Sequence, residues 1–453
     1  MKFYKFNALL QNNGWLSPAF IGVDEDGIIG YLSSGPPSEG GGIEVVNGFV
    51  LPGFQNAHSH AFQFAMAGLA EKHSQGQVDD FWSWRETMYK CALTMTPDHQ
   101  EAVAAMLYIE MLRRGYTHVA EFHYLHHDPS GRPYANLSEM GERLLAAASQ
   151  AGIKITLIPI FYQMGNFGKE PQPRQCRFIS KTTDDYFQLL DDTSHAVSKY
   201  SNALLGFGVH SLRAVRSTDI KMTFDQGPSN IPFHLHAAEQ LKEVEDCKAF
   251  LNRRPVEWLL ENMSLNERFH LVHCTHMEAS EVKGLAASKA NVVLCPGTEG
   301  NLGDGIFSLT DYAKHNGSWS IGTDSHISLT PMEDLRWLDY AQRLTTHKRN
   351  TFDDGARVLF DKTLIAGRKA MSCHPNEQYF EIGEAFDGVV FNGESPLFNK
   401  PLDCLLPSIV YTADSSAILG TIINGEWVIK NQIHSNLKSI KANFRKAMKT
   451  LNL

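Results

Sequence analysis

Between residues 51 and 375, short apolar runs alternate with longer stretches of helical periodicity, the order a parallel α/β fold requires. Runs ending near His60, His123, Phe161, His210, His236, His273, Pro296 and Asp324 read as strands. Eight such runs is the strand number of a (β/α)8 TIM-type barrel. Helices fit between them at residues 100–114, 137–151, 184–200, 239–250 and 278–287. Thr96-Pro97-Asp98 reads as a helix start, and Gly115 and Gly152 as two helix stops.

The flanks follow a different period. Residues 3–10, 20–23, 28–32 and 43–50 are strand-like pieces separated by Asp24-Glu25-Asp26-Gly27 and Ser34-Gly35-Pro36-Pro37, a β-meander pattern. Residues 388–391, 408–411 and 420–429 repeat it near the other end, and Asn424-Gly425 is a strong hairpin signal. The two flanks are expected to build one small discontinuous β-sandwich domain. The expected division is 1–50 and 376–432 for the sandwich, 51–375 for the barrel and 433–453 for a C-terminal helix. Residues 437–451 are basic and amphipathic; a docked terminal helix is the expectation, a membrane or partner surface the alternative.

A length of 453 residues suits a barrel plus one small domain. The formal charge of -9 argues against nonspecific nucleic-acid binding, which needs a basic footprint. Seven cysteines, widely spaced and without a C-x-x-C pair, fit a reducing compartment better than a disulfide framework. Met1-Lys2-Phe3-Tyr4 opens no apolar leader, and no apolar run is long enough to span a bilayer. A soluble cytoplasmic protein is expected, with no nucleic-acid or membrane partner.

The chemistry-bearing residues sit at the ends of the predicted strands. His58 and His60 are two apart and so share one face at the barrel mouth, where barrel enzymes keep their chemistry. His234 and His236 also share a face; His236 lies nearer the strand end and is the better ligand, while His234 reads as an inward histidine one layer down. Asp324, in Ile321-Gly322-Thr323-Asp324-Ser325-His326, completes a set of four, a helix N-cap being its ordinary alternative. Three imidazoles and a carboxylate suit one Zn²⁺ with a position left for water, and the same ligand types admit Fe²⁺ or Mn²⁺. Strand four ends Gly208-Val209-His210-Ser211 without a lysine to bridge two ions, so a single metal is expected. Glu239, three residues past His236, is the candidate general base and acid, against the alternative of a solvated first-turn glutamate. His273, ending Phe269-His270-Leu271-Val272-His273, is placed to hydrogen-bond an oxygen activated at the ion, and His276 reads as a loop residue.

This constellation resembles the amidohydrolase superfamily, in its mononuclear deaminase branch. The segments His58-Ser59-His60-Ala61-Phe62-Gln63, Ala65-Met66-Ala67-Gly68-Leu69-Ala70-Glu71 and Asp80-Phe81-Trp82-Ser83-Trp84-Arg85-Glu86 are similar to the formimidoylglutamate deiminase family. So are residues 295–305, Cys295-Pro296-Gly297-Thr298-Glu299 onward to Gly305, and Gly322-Thr323-Asp324-Ser325-His326. The resemblance spans nearly the whole chain. It implies hydrolysis of N-formimino-L-glutamate to N-formyl-L-glutamate and ammonia, in histidine degradation, by a homodimer. It implies metal ligands His58, His60, His236 and Asp324, with Glu239 and His273 as proton carriers and Asp324 also counted as catalytic. It further implies substrate contacts by Gln63, Arg85, Tyr124, His210 and Arg213. Phe64 departs from the pattern, where a basic residue is expected after the glutamine, and Gly297 and Gly300 are less typical choices. Such a substrate is a dicarboxylate, which guanidinium forks at Arg85, after strand one, and Arg213, after strand four, could grip bidentately. Residues 163–181, rich in Gly and Pro, are a candidate lid, or else an inert surface loop. The competing readings are a purine deaminase on the same metal site, which would need a flat aromatic pocket, and a catalytically dead scaffold, which would lack ligands.

Overall fold

The computed structural model describes residues 1–38, 42–71, 81–373 and 375–451. Eight parallel strands form the centre: β1 (Phe54–Ser59), β2 (Tyr116–His123), β3 (Lys154–Phe161), β4 (Phe207–Ser211), β5 (Phe233–Ala237), β6 (Phe269–His273), β7 (Asn291–Leu294) and β8 (Ser318–Ile321). They pair in sequence order from β1 to β8. The ring closes at its C-terminal mouth, where Ser59 bridges to Asp324. There the Asp324 N–H donates to the His58 carbonyl (3.0 Å) and the His60 N–H to the Asp324 carbonyl (3.2 Å). Closure of the barrel therefore brings together three chemistry-bearing residues, His58, His60 and Asp324, from its first and last strands. Every residue of β4, β5, β6 and β7 is buried, as expected of strands covered on both faces.

The helices start and stop where local chemistry dictates. Thr96 caps the helix Pro97–Arg113: its hydroxyl accepts the His99 N–H at 3.2 Å, and Pro97 sits where its missing N–H costs nothing. Gly152 ends the helix Glu139–Ala151 at φ 75°, and its N–H reaches back to the Ala148 carbonyl.

The two termini meet in one eight-stranded sheet. Its order runs Glu426–Lys430, Ile418–Ile423, Gly388–Asn392, Ile43–Pro52, Lys2–Gln11, Ala19–Val23 and Ile29–Ser33, with Gly14–Leu16 pairing on Lys2–Gln11. All the pairs are antiparallel except Lys2–Gln11 with Ile43–Pro52. Asn424 (φ 47°) and Gly425 (φ 71°) make the expected tight turn. Residues 408–411, expected as a strand, are instead part of a helix, Leu405–Thr412. Leu405, Leu406, Ile409 and Val410 are buried, an i, i+1, i+4, i+5 spacing that covers one helical face; four residues were too short a window to show it. The helix Leu437–Leu451 docks as expected: Ile440, Ala447 and Leu451 are buried, and Thr450 Oγ1 lies 2.8 Å from His99 Nε2. No helix among the described residues is long and apolar enough to cross a membrane. All seven cysteines are free thiols.

Candidate active site at the barrel mouth

Four donor atoms converge where β1, β5 and β8 end. His58 Nε2 lies 3.1 Å from both His60 Nε2 and His236 Nε2. Asp324 Oδ1 is 3.5 Å from His58 Nε2 and 3.2 Å from His60 Nε2. His60 Nδ1 lies 2.9 Å from the Phe122 carbonyl and His236 Nδ1 lies 3.0 Å from the His210 carbonyl, and a carbonyl can only accept, so both rings carry their proton on Nδ1. Their Nε2 atoms consequently turn lone pairs toward the same point, an arrangement that repels itself unless a cation lies between them. Donors bound about 2.0–2.1 Å from a tetrahedral zinc would lie roughly 3.3 Å apart, close to the separations found. The residues fit a divalent ion. Burial, and after it the neighbouring His60, drives the His58 pKa down to about 3, and burial lowers His60 and His236 as well, leaving the neutral ring that a metal binds. Burial opposes the Asp324 carboxylate, yet His58, His60 and His273 outweigh it and hold its pKa below the usual range.

Beside this cluster stand Glu239 and His273. Ala238 (φ 51°) turns the chain sharply after β5 and sends Glu239 into the cavity. His273 Nε2 is 3.7 Å from Glu239 Oε1 and 3.9 Å from Asp324 Oδ2. Burial raises the Glu239 pKa against the pull of His273 and Arg213, so this carboxyl can carry a proton. Burial works against a charged His273, but Glu239, Glu299 and Asp324 together lift its pKa to about 10. Ala238, His273, Cys274, Asp324 and His326 all have left-handed backbones, five of the twelve non-glycine cases among the described residues. Such conformations cost on the order of 1–3 kcal/mol each and collect at functional sites.

The same cavity is also lined by Gln63, Arg85, Tyr124, His210 and Arg213, and by Trp84, Met88, Tyr89, Tyr162, Phe178 and Leu302. Tyr124 and His210 lie against the His60 and His236 rings, with centroids 5.0 and 4.8 Å apart. Gln63 Nε2 donates to the Tyr124 hydroxyl at 3.0 Å. Arg85 reaches Tyr162 Oη at 3.4 Å and lies over the Tyr89 ring. Arg213 is not an isolated fork: it pairs with the buried Glu243 at 3.6 Å. Asp80, at the head of the tryptophan-containing segment, lies outside the described residues. Within 163–181, Arg177 and Phe178 are buried, and Arg177 Nε donates to the His127 carbonyl at 2.8 Å, so this part of the segment is anchored to the barrel wall. Phe64 packs on Phe444 of the terminal helix, away from the cavity lining. His234 occupies the layer below, with its Nε2 on the Ala370 carbonyl at 3.0 Å.

Several buried acids around the site escape sequence reasoning. Glu121 on β2 accepts the Ala61 N–H (2.6 Å), the Ser59 hydroxyl (2.7 Å) and the Tyr108 hydroxyl (3.1 Å), fixing the turn that carries His60. Burial raises its pKa to about 7 in spite of those donors. A lone acid inside the apolar run Val119-Ala120-Glu121-Phe122 was the available signal. Glu243 accepts the Glu239 N–H at 3.0 Å as well as holding Arg213. Asp304, paired with the Gln240 amide, is raised to about 9, by burial first and then by Glu239.

A parallel barrel whose mouth gathers three imidazoles, an aspartate and a buried Glu–His pair defines a metal-hydrolase architecture. The Amidohydrolase family matches residues 49–428, and the chain belongs to that family. It is 40% identical over 428 residues to formimidoylglutamate deiminase of Pseudomonas aeruginosa, covering 93% of each chain. It is 23% identical to 5-methylthioadenosine/S-adenosylhomocysteine deaminase of Thermodesulfovibrio yellowstonii, over 85% of this chain and 81% of the relative. Among solved structures, an amidohydrolase from Brucella melitensis aligns over 100% of both chains with a TM-score of 0.92 and 38% identity. An adenosine deaminase from Xanthomonas campestris, solved with bound zinc, shares the fold at a TM-score of 0.81 and 18% identity, over 99% of this chain and 98% of that one.

Proposed function

We propose that this chain hydrolyses N-formimino-L-glutamate to N-formyl-L-glutamate and ammonia, a step of histidine degradation. The 40% identity to formimidoylglutamate deiminase along 93% of both chains carries the reading. A cavity lined by His60, His236 and Asp324 of the four-donor cluster together with Arg85 and Arg213 supports it, because the substrate joins a hydrolysable amidine to a dicarboxylate. The chain is in this reading a hydrolase of carbon–nitrogen bonds. His58, His60, His236 and Asp324 would hold one zinc ion, which when bound lowers the pKa of a coordinated water from 15.7 to about 7.

The chain's own groups do the following. Arg85 and Arg213 grip the two carboxylates and set the formimino carbon against the metal wall, with Gln63, Tyr124 and His210 closing around it. Glu239 Oε1 takes a proton as water oxygen bonds to that carbon. His273 Nε2 donates a hydrogen bond to the attacking oxygen as charge develops. Glu239 then passes its proton to the departing nitrogen; as the carbon–nitrogen bond breaks, the remaining hydroxyl proton passes to the Glu239 carboxylate, and ammonia leaves with the formyl oxygen in its place. Buried, with a raised pKa, Glu239 is suited to both halves of this transfer.

The assay is ammonia release by metal-loaded protein from N-formimino-L-glutamate, guanine and adenosine in parallel. The reading predicts release from the first alone; release from a purine and not from formiminoglutamate would overturn it. Bound metal, expected as about one zinc per chain, is read by elemental analysis of the same sample. A homodimer is also proposed. Trp337, Tyr340 and Leu344 are 48%, 38% and 72% exposed on one face of the helix Pro331–Thr346, and light scattering should give twice the chain mass.

A further inference from the structure

Residues 295–305 form a recognisable segment that the proposed chemistry leaves without a role. Its first turn is tied to both neighbouring strands. Glu299, in the helix Pro296–Leu302, folds its side chain back so that Oε1 accepts the Cys295 N–H at 2.8 Å and lies 3.2 Å from His273 Nδ1. One residue earlier, Thr298 Oγ1 accepts the Ser325 N–H at 3.2 Å and lies 3.0 Å from Ser325 Oγ, beside Asp324. Adjacent side chains therefore brace the β6 end and the turn after β8.

The histidine needs such a brace. His273 ends β6 with a left-handed backbone (φ 71°) and is 1% exposed, so its ring sits buried at the end of a strained connection. A carboxylate on Nδ1 fixes the rotation of the ring, because only Nδ1–H can donate to it. The opposite nitrogen, Nε2, is then the one presented to Glu239 and Asp324, at 3.7 and 3.9 Å. A ring turned over would put carbon atoms there. Glu299 is itself only 6% exposed, and its Oε1 is shared between the Cys295 N–H and the His273 ring.

We propose that Glu299 is a positioning residue for the deimination: it accepts the His273 Nδ1–H and so holds Nε2–H toward the reacting carbon, while Thr298 locks the neighbouring Asp324 turn. The inference rests on the deiminase reading. Its test uses full-length, zinc-loaded protein with Glu299→Ala and Glu299→Gln, the second keeping the acceptor oxygen and the side-chain shape. Glu299→Ala should lower kcat for ammonia release about 10- to 100-fold, leave KM within about threefold, and keep the zinc content. Glu299→Gln should recover most of that loss. A downfield, exchange-protected Nδ1–H proton resonance, assigned by its absence in His273→Asn, should persist in the wild type and in Glu299→Gln and vanish in Glu299→Ala. An unchanged kcat in Glu299→Ala, a loss confined to KM, or a resonance that survives the alanine would overturn the proposal. If the wild type itself releases no ammonia from formiminoglutamate, the deiminase reading fails instead, and the resonance still decides whether Glu299 holds the ring.

Discussion

The barrel interior contains two layers of buried histidines that differ in how their ring nitrogens are partnered. At the mouth are His58, His60 and His236; one layer down are His234 and His270, stacked at 4.7 Å and fully buried. In the lower layer, protons meet lone pairs: His234 Nε2 lies on the Ala370 carbonyl and His270 Nδ1 faces the Asn291 amide at 3.1 Å. At the mouth the Nδ1 protons of His60 and His236 are already committed to carbonyls, and their Nε2 lone pairs both turn toward His58 Nε2. Burial and residue type do not separate a structural histidine from a metal ligand. The hydrogen-bond arithmetic does.

That contrast is sharpest where one strand supplies both kinds. In β5, His236→Ala should remove a ligand and leave three donors around a site built for four. Zinc binding and turnover should both fall to background, read by elemental analysis and ammonia release. A variant that kept its zinc and its rate would break the distinction between the layers. Glu239→Gln should come next in size. It keeps the shape of the side chain and all four donors but removes the group that carries the proton. A fall in kcat of about 10²- to 10⁴-fold at unchanged zinc content is expected; near-normal turnover would remove Glu239 from the mechanism.

Arg213→Ala tests the grip on the substrate. Charge-assisted hydrogen bonds contribute about 1.5–3 kcal/mol each, so KM should rise roughly 10- to 150-fold with the smaller change in kcat. The structure adds a second consequence that an isolated arginine would not have. Removing the guanidinium leaves Glu243 buried without its ion-pair partner, so the melting temperature should also drop. Arg213→Ala with Glu243→Gln should recover the stability and not the KM, separating the two roles of the arginine.

Much of this architecture was legible in the chain, and the reason is periodicity. Each barrel strand reads as a short run that stops at a turn, and the mouth is where those runs end, so His123, Phe161 and His273 fell on observed strand ends. The supporting acids were not legible in the same way. Glu243 and Glu299 sit early in helices, where sequence alone suggests solvated carboxylates favoured by the dipole. Only the three-dimensional approach of Arg213 and His273 gives them partners. Residues 408–411 failed for the opposite reason, since four apolar residues fit either period until Leu405 and Leu406 are included.

The smallest expected effect makes the cleanest comparison, because it alters the lower layer on the same strand and face as a ligand. His234→Leu replaces a buried ring with an apolar side chain and strips the Ala370 carbonyl of its donor. An unpaired buried acceptor costs about 1–3 kcal/mol, which urea unfolding of the metal-free protein should register. Zinc content and kcat should stay within about twofold of the wild type, since no donor at the mouth bonds to His234. Two residues along one strand would then separate cleanly, one costing the reaction and the other only the fold. Loss of zinc in His234→Leu would mean that the stacked pair beneath supports the ligand geometry above, and that the two layers act as one.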